Sequence, residues 1–458
     1  MKLVPTTKQI SIFSTVTVLG FGSLAIWLLL GNGSYNGFLR PPTFTGALEK
    51  HLGENEDPGW RDRYYREVFT EPNRTTDTIL TPNLAELCQA ITWRPNLYLN
   101  CTRVSAGLFN QVNEIKNCIR MAIDTGANLI LPSSSERDSE RLNNFHTGDI
   151  AWKRQFRQRW DEEHIMSHLG KACPQMKVLP SDEPPISNAT HILVDPKGSP
   201  GFKEYLGHFD GTRTFRDYVD KTSSEKGATL NSTISPVVLE IEWTLLVINP
   251  ENDPTGLDWR AWTEISLLIR PTESHRRLVQ KLSEAESLRK DSYIGVHLRV
   301  EHDAVGKWWD DLELQVSKNL NSIDVVAKRF REQRGDGKNP FIYVACGDKK
   351  GIERFRELAA LRGYIVLDKW GVLGNDTESL GEIDKLSFDE RGLLDYAVLL
   401  NGYFFLGTLG SSFSYTVANM RSDRGRFPGT SFVVDDMAKS FSHLFMPPSG
   451  RAHFACCL

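Results

Sequence analysis

SYIGVHLRVEHD (292–303) reads as a parallel strand of an α/β sheet running into a charged loop. Strand alternation sets Ile294, Val296 and Leu298 on one face, and Tyr293, Gly295, His297 and Arg299 on the other. His297 and Arg299 therefore project together near the carboxyl end of the strand, the edge at which open α/β sheets bind ligands. A guanidinium at that edge can clamp a diphosphate through forked hydrogen bonds. The competing reading is an ion pair of Arg299 with Glu301 or Asp303.

Working outward, helix-like runs alternate with short β-rich runs. Helix 274–289 leads into this strand, and helix 313–332 leads into FIYVAC (341–346). Helix 350–361 precedes GYIVLD (363–368), helix 390–400 precedes YFFLGT (403–408), and a further helix opens at Ser411. Such alternation implies right-handed βαβ units and a parallel sheet. Upstream, Val112, Ile115, Ile119 and Ala122 recur at helical spacing, and Gly126 stops that helix before the strand NLILP (128–132). A charged helix over 154–169 precedes the strand MKVLP (176–180). Residues 181–235, rich in Pro, Gly and Ser, read as loops and insertions. The expected fold class is α/β, with one Rossmann-like domain over 81–270, a second over 271–458, and a cleft between them.

The chain has 458 residues, of which 40% are hydrophobic and 24% charged, so it is neither a single small core nor a disordered chain. Lys and Arg number 54 against 58 Asp and Glu, a net charge of −4 that excludes a nucleic-acid-coating protein. No internal repeat indicates a solenoid. Residues 1–9 form a short basic tail, and Ile10 to Leu30 runs for 21 residues without a charge, about the thickness of a bilayer core. Lys2 and Lys8 place the tail in the cytosol. This is an expected signal anchor, longer than a secretory h-region, with a cleaved signal peptide as the alternative. Residues 31–80 then read as a stem. Sequons at Asn32, Asn73, Asn100, Asn188, Asn231 and Asn375 all lie downstream, consistent with a lumenal body in the Golgi or ER. Cys88, Cys101, Cys118 and Cys173 allow two bridges in three connectivities, whereas Cys346, inside an apolar strand, reads as a buried thiol. Cys456 and Cys457 do not complete a prenylation box, which would need Cys where Ala455 stands.

Two further segments carry candidate chemistry. FLGTLGSSFS (405–414) is a strand, a glycine turn and a helix opening at Ser411 and Ser412. Helix-start amides and hydroxyls favour anions, while the plainer reading is a serine cap after a turn. It is neither GxxxxGK[ST] nor GxGxxG. In SAGLFNQVNEIKN (105–117), Gly107 and Asn110 sit where a loop enters a helix, suiting either a close ligand or an ordinary loop–helix–strand unit.

Taken together these stretches resemble the GDP-fucose protein O-fucosyltransferase family, in particular its plant and fungal branch. The resemblance rests on Gly107-Leu-Phe-Asn110-Gln111, His297-Leu298-Arg299 with its Val300-Glu301-His302-Asp303 continuation, and Asp395 eighteen residues before the Phe413 of a Ser-Ser-Phe turn. RWDEEHIMSHL (159–169) followed by KVLP adds to it. It implies a GT-B arrangement, with inverting transfer of fucose from GDP-fucose to a protein or glycan hydroxyl, and with no metal or other cofactor. It implies further that Asn110 contacts the donor from the first domain and that His297 and Arg299 contact donor and phosphates. Asp395 would lie by the nucleoside, and Ser411, Ser412 and Phe413 would surround the diphosphate and nucleoside. Animal members of the family place Arg or Glu where Gly107 stands, the Glu being the proposed base, so the general base is unassigned here. Glu301 and Asp303 are the candidates, acting either as a base or as partners that orient Arg299. Asp310-Asp311 and Asp435-Asp436 lack Asp-x-Asp spacing and read as solvated acids. Two alternatives remain: another nucleotide sugar such as UDP-rhamnose, or a catalytically silent GDP-sugar- or glycan-binding protein.

Overall fold

The strand at 293–297 is buried at every position, as a parallel strand covered by helices on both faces must be. It lies at the centre of the second of the two larger sheets in a computed structural model of the chain. The structure describes residues 59–70, 79–146, 149–182, 186–199, 202–203, 208–209, 212–230, 235–242, 247–248, 255–303, 305, 310–335, 337–408, 410–421 and 430–440. The expected tail and anchor (1–30), part of the expected stem, and residues 441–458 lie outside these. Among the described residues no helix is long and apolar enough to cross a membrane.

The principal elements of the first half are α1 (Trp60–Tyr65), α2 (Pro82–Gln89), β1 (Leu97–Cys101), α3 (Leu108–Thr125), β2 (Asn128–Ile130), α4 (Glu162–Ala172), β3 (Val178–Leu179), β4 (Thr190–Val194), α5 (Thr212–Glu225), β5 (Val237–Ile241), α6 (Leu257–Ile265) and α7 (Glu273–Ser283). All five strands are parallel, in the order β3-β2-β1-β5-β4. The second half follows with β6 (Tyr293–His297), α8 (Leu312–Arg334), β7 (Phe341–Ala345), α9 (Lys349–Ala360), β8 (Val366–Leu367), α10 (Lys369–Leu373), α11 (Thr377–Lys385), α12 (Phe388–Asn401), β9 (Phe404–Gly407), α13 (Ser412–Arg421), β10 (Ser431–Val433) and β11 (Asp436–Ser440). Its order is β8-β7-β6-β9-β10-β11, parallel except for β11, so the strand order reverses between β6 and β9. Such a switch point leaves a crevice at the carboxyl ends of the two strands.

Side-chain alternation in β6 divides the packing. Ile294, Val296 and Leu298 join Val316, Leu320 and Ile323 of α8 and Phe355 of α9 on one face. On the other face Gly295 allows α12 to close in, since a Cβ there would meet Leu399 Cδ2 at 2.6 Å. This second face opens into a larger core that runs continuously into the first half, through Phe109, Leu393, Tyr396 and Val417. Of the three possible cysteine connectivities, the structure has Cys88–Cys173 and Cys101–Cys118, and Cys346 is free and buried.

Two expectations are corrected. Part of the expected stem is folded: α1 continues into a π-helical turn, Arg66–Thr70, and Trp60, Tyr64, Val68 and Phe69 enter the main core. Residues 181–235 hold more than loops. β4 pairs with β5 along its length, and α5 packs on α3 through Phe215 and Val219, which are fully buried. Both segments bury narrow stripes at i, i+4 spacing within polar runs, a pattern that composition conceals.

Phe69 is 1% exposed and packs against Tyr65 and Tyr396, with ring centroids 5.6 and 6.0 Å away. Phe69→Ala is therefore expected to cost about 3–5 kcal/mol in equilibrium urea unfolding. A substitution in an unstructured stem would leave the midpoint unchanged.

Candidate functional site

The carboxyl ends of β6, β7 and β9 face the loop that enters α3, and between them lies a cleft of about 850 Å³. Gly107, Asn110, His297, Arg299, Glu301, Asp303, Asp395, Ser411, Ser412 and Phe413 all line it, so residues up to 306 positions apart meet in one place. Ser411 and the first turn of α13 that follows it, at the switch point, contribute the last three. Helix-start amides have no intrahelical acceptor and carry the positive end of the helix dipole.

The loop before α3 is held by buried polar groups rather than by apolar packing. Gln111 Nε2 donates to the carbonyls of Ala106 and Ser135 at 2.8 and 2.9 Å, and Gln111 Oε1 accepts from Arg159 Nη1 at 2.8 Å. Ser105 N–H donates to Glu114 Oε2 at 2.8 Å, and burial raises the Glu114 carboxyl to about 8. Thus in the Asn110-Gln111 pair Gln111 fixes the loop, while Asn110 Oδ1 lines the cleft without a hydrogen-bond partner among the described residues.

On the opposite wall, both competing readings of Arg299 have a structural counterpart. Its guanidinium lines the cleft, and it donates from Nη1 to Glu301 Oε2 at 2.6 Å and from Nη2 to Asp303 Oδ2 at 2.7 Å. Burial opposes its charge, but Glu301 and Asp303 outweigh it and hold the guanidinium protonated. Gln315 Nε2, in the first turn of α8, donates to the Arg299 carbonyl at 2.7 Å and fixes the loop. The two carboxylates differ. Glu301 Oε1 also accepts from Gly347 N–H at 2.7 Å, so both its oxygens are engaged, whereas Asp303 Oδ1 is buried without a partner among the described residues.

His297 Nδ1 lies 2.7 Å from Ser414 Oγ, which accepts from Thr408 N–H at 3.0 Å. Phe413 covers the His297 ring at 4.5 Å. Burial, followed by the nearby Arg299 charge, lowers the His297 pKa to about 3.

Asp395 lines the cleft with both carboxylate oxygens engaged by protein donors. It is 3% exposed, and its oxygens already accept from Tyr343 OH and Lys369 Nζ, each at 2.7 Å. Burial raises its pKa and Lys369 opposes the rise. A carboxylate offers about four lone-pair sites, so a nucleobase would share this group rather than have it to itself. Sequence reading missed the Lys369 ammonium, Arg137, Trp370 and Phe388, all of which line the cleft. Lys369 follows an Asp that caps a short helix, a signal the sequence does carry. Among the described residues, no group of three or more His, Cys, Asp or Glu is placed to hold a metal ion.

No protein-family model matches the chain, and no curated protein matches it. Among solved structures it is similar to POFUT1 in complex with GDP-fucose, at 15% identity over 75% of this chain and 99% of that one, with a TM-score of 0.44. It is also similar to a mutant of Arabidopsis thaliana FUT1 in complex with GDP, at 13% identity over 79% and 76% of the two chains, TM-score 0.38. The fucosyltransferase NodZ from Bradyrhizobium matches at 14% identity over 70% and 92%, TM-score 0.35. At this level of likeness, activity is argued from the cleft itself.

Since the folded pKa of His297 lies below its unfolded value near 6.5, the unfolded chain binds the extra proton first. Stability is thus expected to fall as pH drops from about 6.5 towards 3, and His297→Gln to remove that part of the loss. In NMR titration the His297 ring is expected to keep neutral-imidazole shifts from pH 8 to 5. A midpoint near 6.5 would contradict the buried, Ser414-bonded geometry.

Proposed function

We propose that the chain is an inverting, GT-B-type glycosyltransferase that transfers fucose from GDP-fucose to a hydroxyl of a protein or glycan. The observation that carries this reading is the joining of Arg299 and the first turn of α13 at the switch point of the second sheet, where the residues of the family resemblance line one cleft. The acceptor oxygen attacks C1 of the sugar, and the bond from C1 to the β-phosphate oxygen breaks with its electron pair leaving on GDP. Negative charge grows on the phosphate as the sugar becomes cation-like. A guanidinium fixed by two carboxylates and helix-start amides meets that charge without reorganising. The acceptor proton goes to Asp303 Oδ1, the carboxylate oxygen on this wall without a partner among the described residues. Glu301, tied to Gly347 and Arg299, positions the guanidinium.

Metal independence belongs to the same proposal: transfer is expected to survive EDTA. So does a lumenal, type II location, which the two disulfides support because such bridges persist in oxidising compartments. Asn188 and Asn375 are exposed and suit glycan attachment, whereas Asn100 is half-buried on β1, a strand paired on both sides.

Arg299→Ala and Arg299→Lys are each expected to lower kcat by ~10²–10³ while the protein remains folded, since lysine keeps the charge but not the fork. Asp303→Asn is expected to reduce kcat by ~10²–10⁴ and to remove the acid limb of the pH–rate profile. Near-normal kcat in well-folded Arg299→Ala would overturn the catalytic reading. Nucleotide choice is read by calorimetry: GDP is expected to bind more tightly than UDP, and Asp395→Ala to erase the difference. Tighter binding of UDP would replace fucose by a UDP-sugar such as UDP-rhamnose.

A further inference from the structure

Gly107 caps α3 with φ −68° and ψ 156°, a backbone conformation open to any residue. What a side chain would lack there is space: a Cβ would come within 2.7 Å of Nη2 of Arg137. The Arg137 side chain is 11% exposed, and its guanidinium lies over the rings of Phe145 and Phe388, 4.8 and 5.5 Å from their centroids. Asp389 Oδ1 stands 3.8 Å from Nε, beyond hydrogen-bond reach, and Nε has no hydrogen-bond partner among the described residues. A largely buried cation without a hydrogen-bonded acceptor is unfavourable unless something outside the chain supplies one.

Charge balance in the cleft indicates what that something is. Arg299 faces two carboxylates, Glu301 and Asp303, so that wall is net negative. Lys369 is neutralised by Asp395. With Arg391 and Asp389 included, the three cations that the second half sets around the cleft, Arg299, Lys369 and Arg391, face four carboxylates, Glu301, Asp303, Asp389 and Asp395, so this half offers a diphosphate no net positive charge. We propose that Arg137 is the second cationic arm of the site, reaching from the first half to bind the diphosphate opposite Arg299, and that Gly107 is glycine so that this side chain has its place. The inference rests on the nucleoside-diphosphate reading above and assigns it a residue that the family resemblance did not. Arg391 also lines the cleft, but no missing Cβ reserves its position.

The geometry offers a clean probe. In Gly107→Ala the new methyl group meets only the far end of a flexible side chain, so the fold is retained and the guanidinium is displaced. Calorimetry with GDP, UDP, guanosine and uridine is to be run on wild type, Arg137→Ala, Arg137→Lys, Gly107→Ala and the Gly107→Ala/Arg137→Ala double variant, with thermal melts of each. Whichever diphosphate the wild type binds, Arg137→Ala and Arg137→Lys are expected to weaken it about 10- to 100-fold and to leave the parent nucleoside unaffected. Gly107→Ala should show the same selectivity with an unchanged melt, and the double variant should be no weaker than Arg137→Ala, because both substitutions remove one interaction. Unchanged diphosphate affinity in Arg137→Ala, or losses that simply add in the double variant, would overturn the assignment. Failure of the wild type itself to bind any nucleoside diphosphate would instead defeat the underlying functional reading, and this inference with it.

Discussion

Phe109 and Phe413, which line the cleft, meet Tyr396, and the rest of the architecture depends on that contact. Phe109 belongs to the first turn of α3, Tyr396 to α12 and Phe413 to the first turn of α13. The ring centroids of Phe109 lie 4.5 Å from Tyr396 and 5.1 Å from Phe413. Tyr396 continues the chain of rings to Tyr64 and Phe69, and Phe413 continues it to His297. One aromatic seam thus joins the N-terminal segment, both sheets and the site. Edge-to-face and offset contacts of this kind add about 0.5–1.5 kcal/mol each beyond the area they bury. Their larger effect is positional: the ring that covers His297 is also held by the half that carries Asn110.

Electrostatics at the site follow a consistent scheme. Two buried cations that line the cleft from the second half are neutralised within the protein, Arg299 by Glu301 and Asp303, and Lys369 by Asp395. Removing such a pair from water is costly, and close geometry repays the cost only where the remaining lone pairs find donors. Gly347 N–H serves Glu301, and Tyr343 OH serves Asp395. Of the buried polar atoms without partners among the described residues, Asn110 Oδ1, Arg137 Nε, Asp303 Oδ1, Trp370 Nε1 and Asp389 Oδ2 belong to residues that line the cleft.

Much of this was legible in the sequence wherever the hydrophobic period was strong. The alternation of β6 placed His297 and Arg299 correctly, and the helices over 312–334, 349–360 and 388–401 fall within a few residues of their sequence-derived spans. Arg299 had two readings, and its geometry combines them, because local spacing cannot say whether a guanidinium in an ion pair also faces a cleft. Asp395 was expected to be available, and its partner Lys369 comes from a different βα unit, a contact made only by folding. Arg137 went unnoticed for the same reason. The α1 and α5 segments were missed because one buried stripe among charged residues looks like solvated loop.

Because the aromatic seam and the continuous core bind the two halves together, the cleft cannot open as a clamshell at an acceptable cost: parting the halves would expose Phe109, Tyr396 and Phe413 to water. Exchange of a bound ligand must instead pass through side-chain and loop movements at the rim. Such motions occur in nanoseconds to microseconds, faster than domain hinging. In a molecule built this way ligand exchange is limited by how tightly the cleft holds the ligand, and solvent viscosity would have little hold on it.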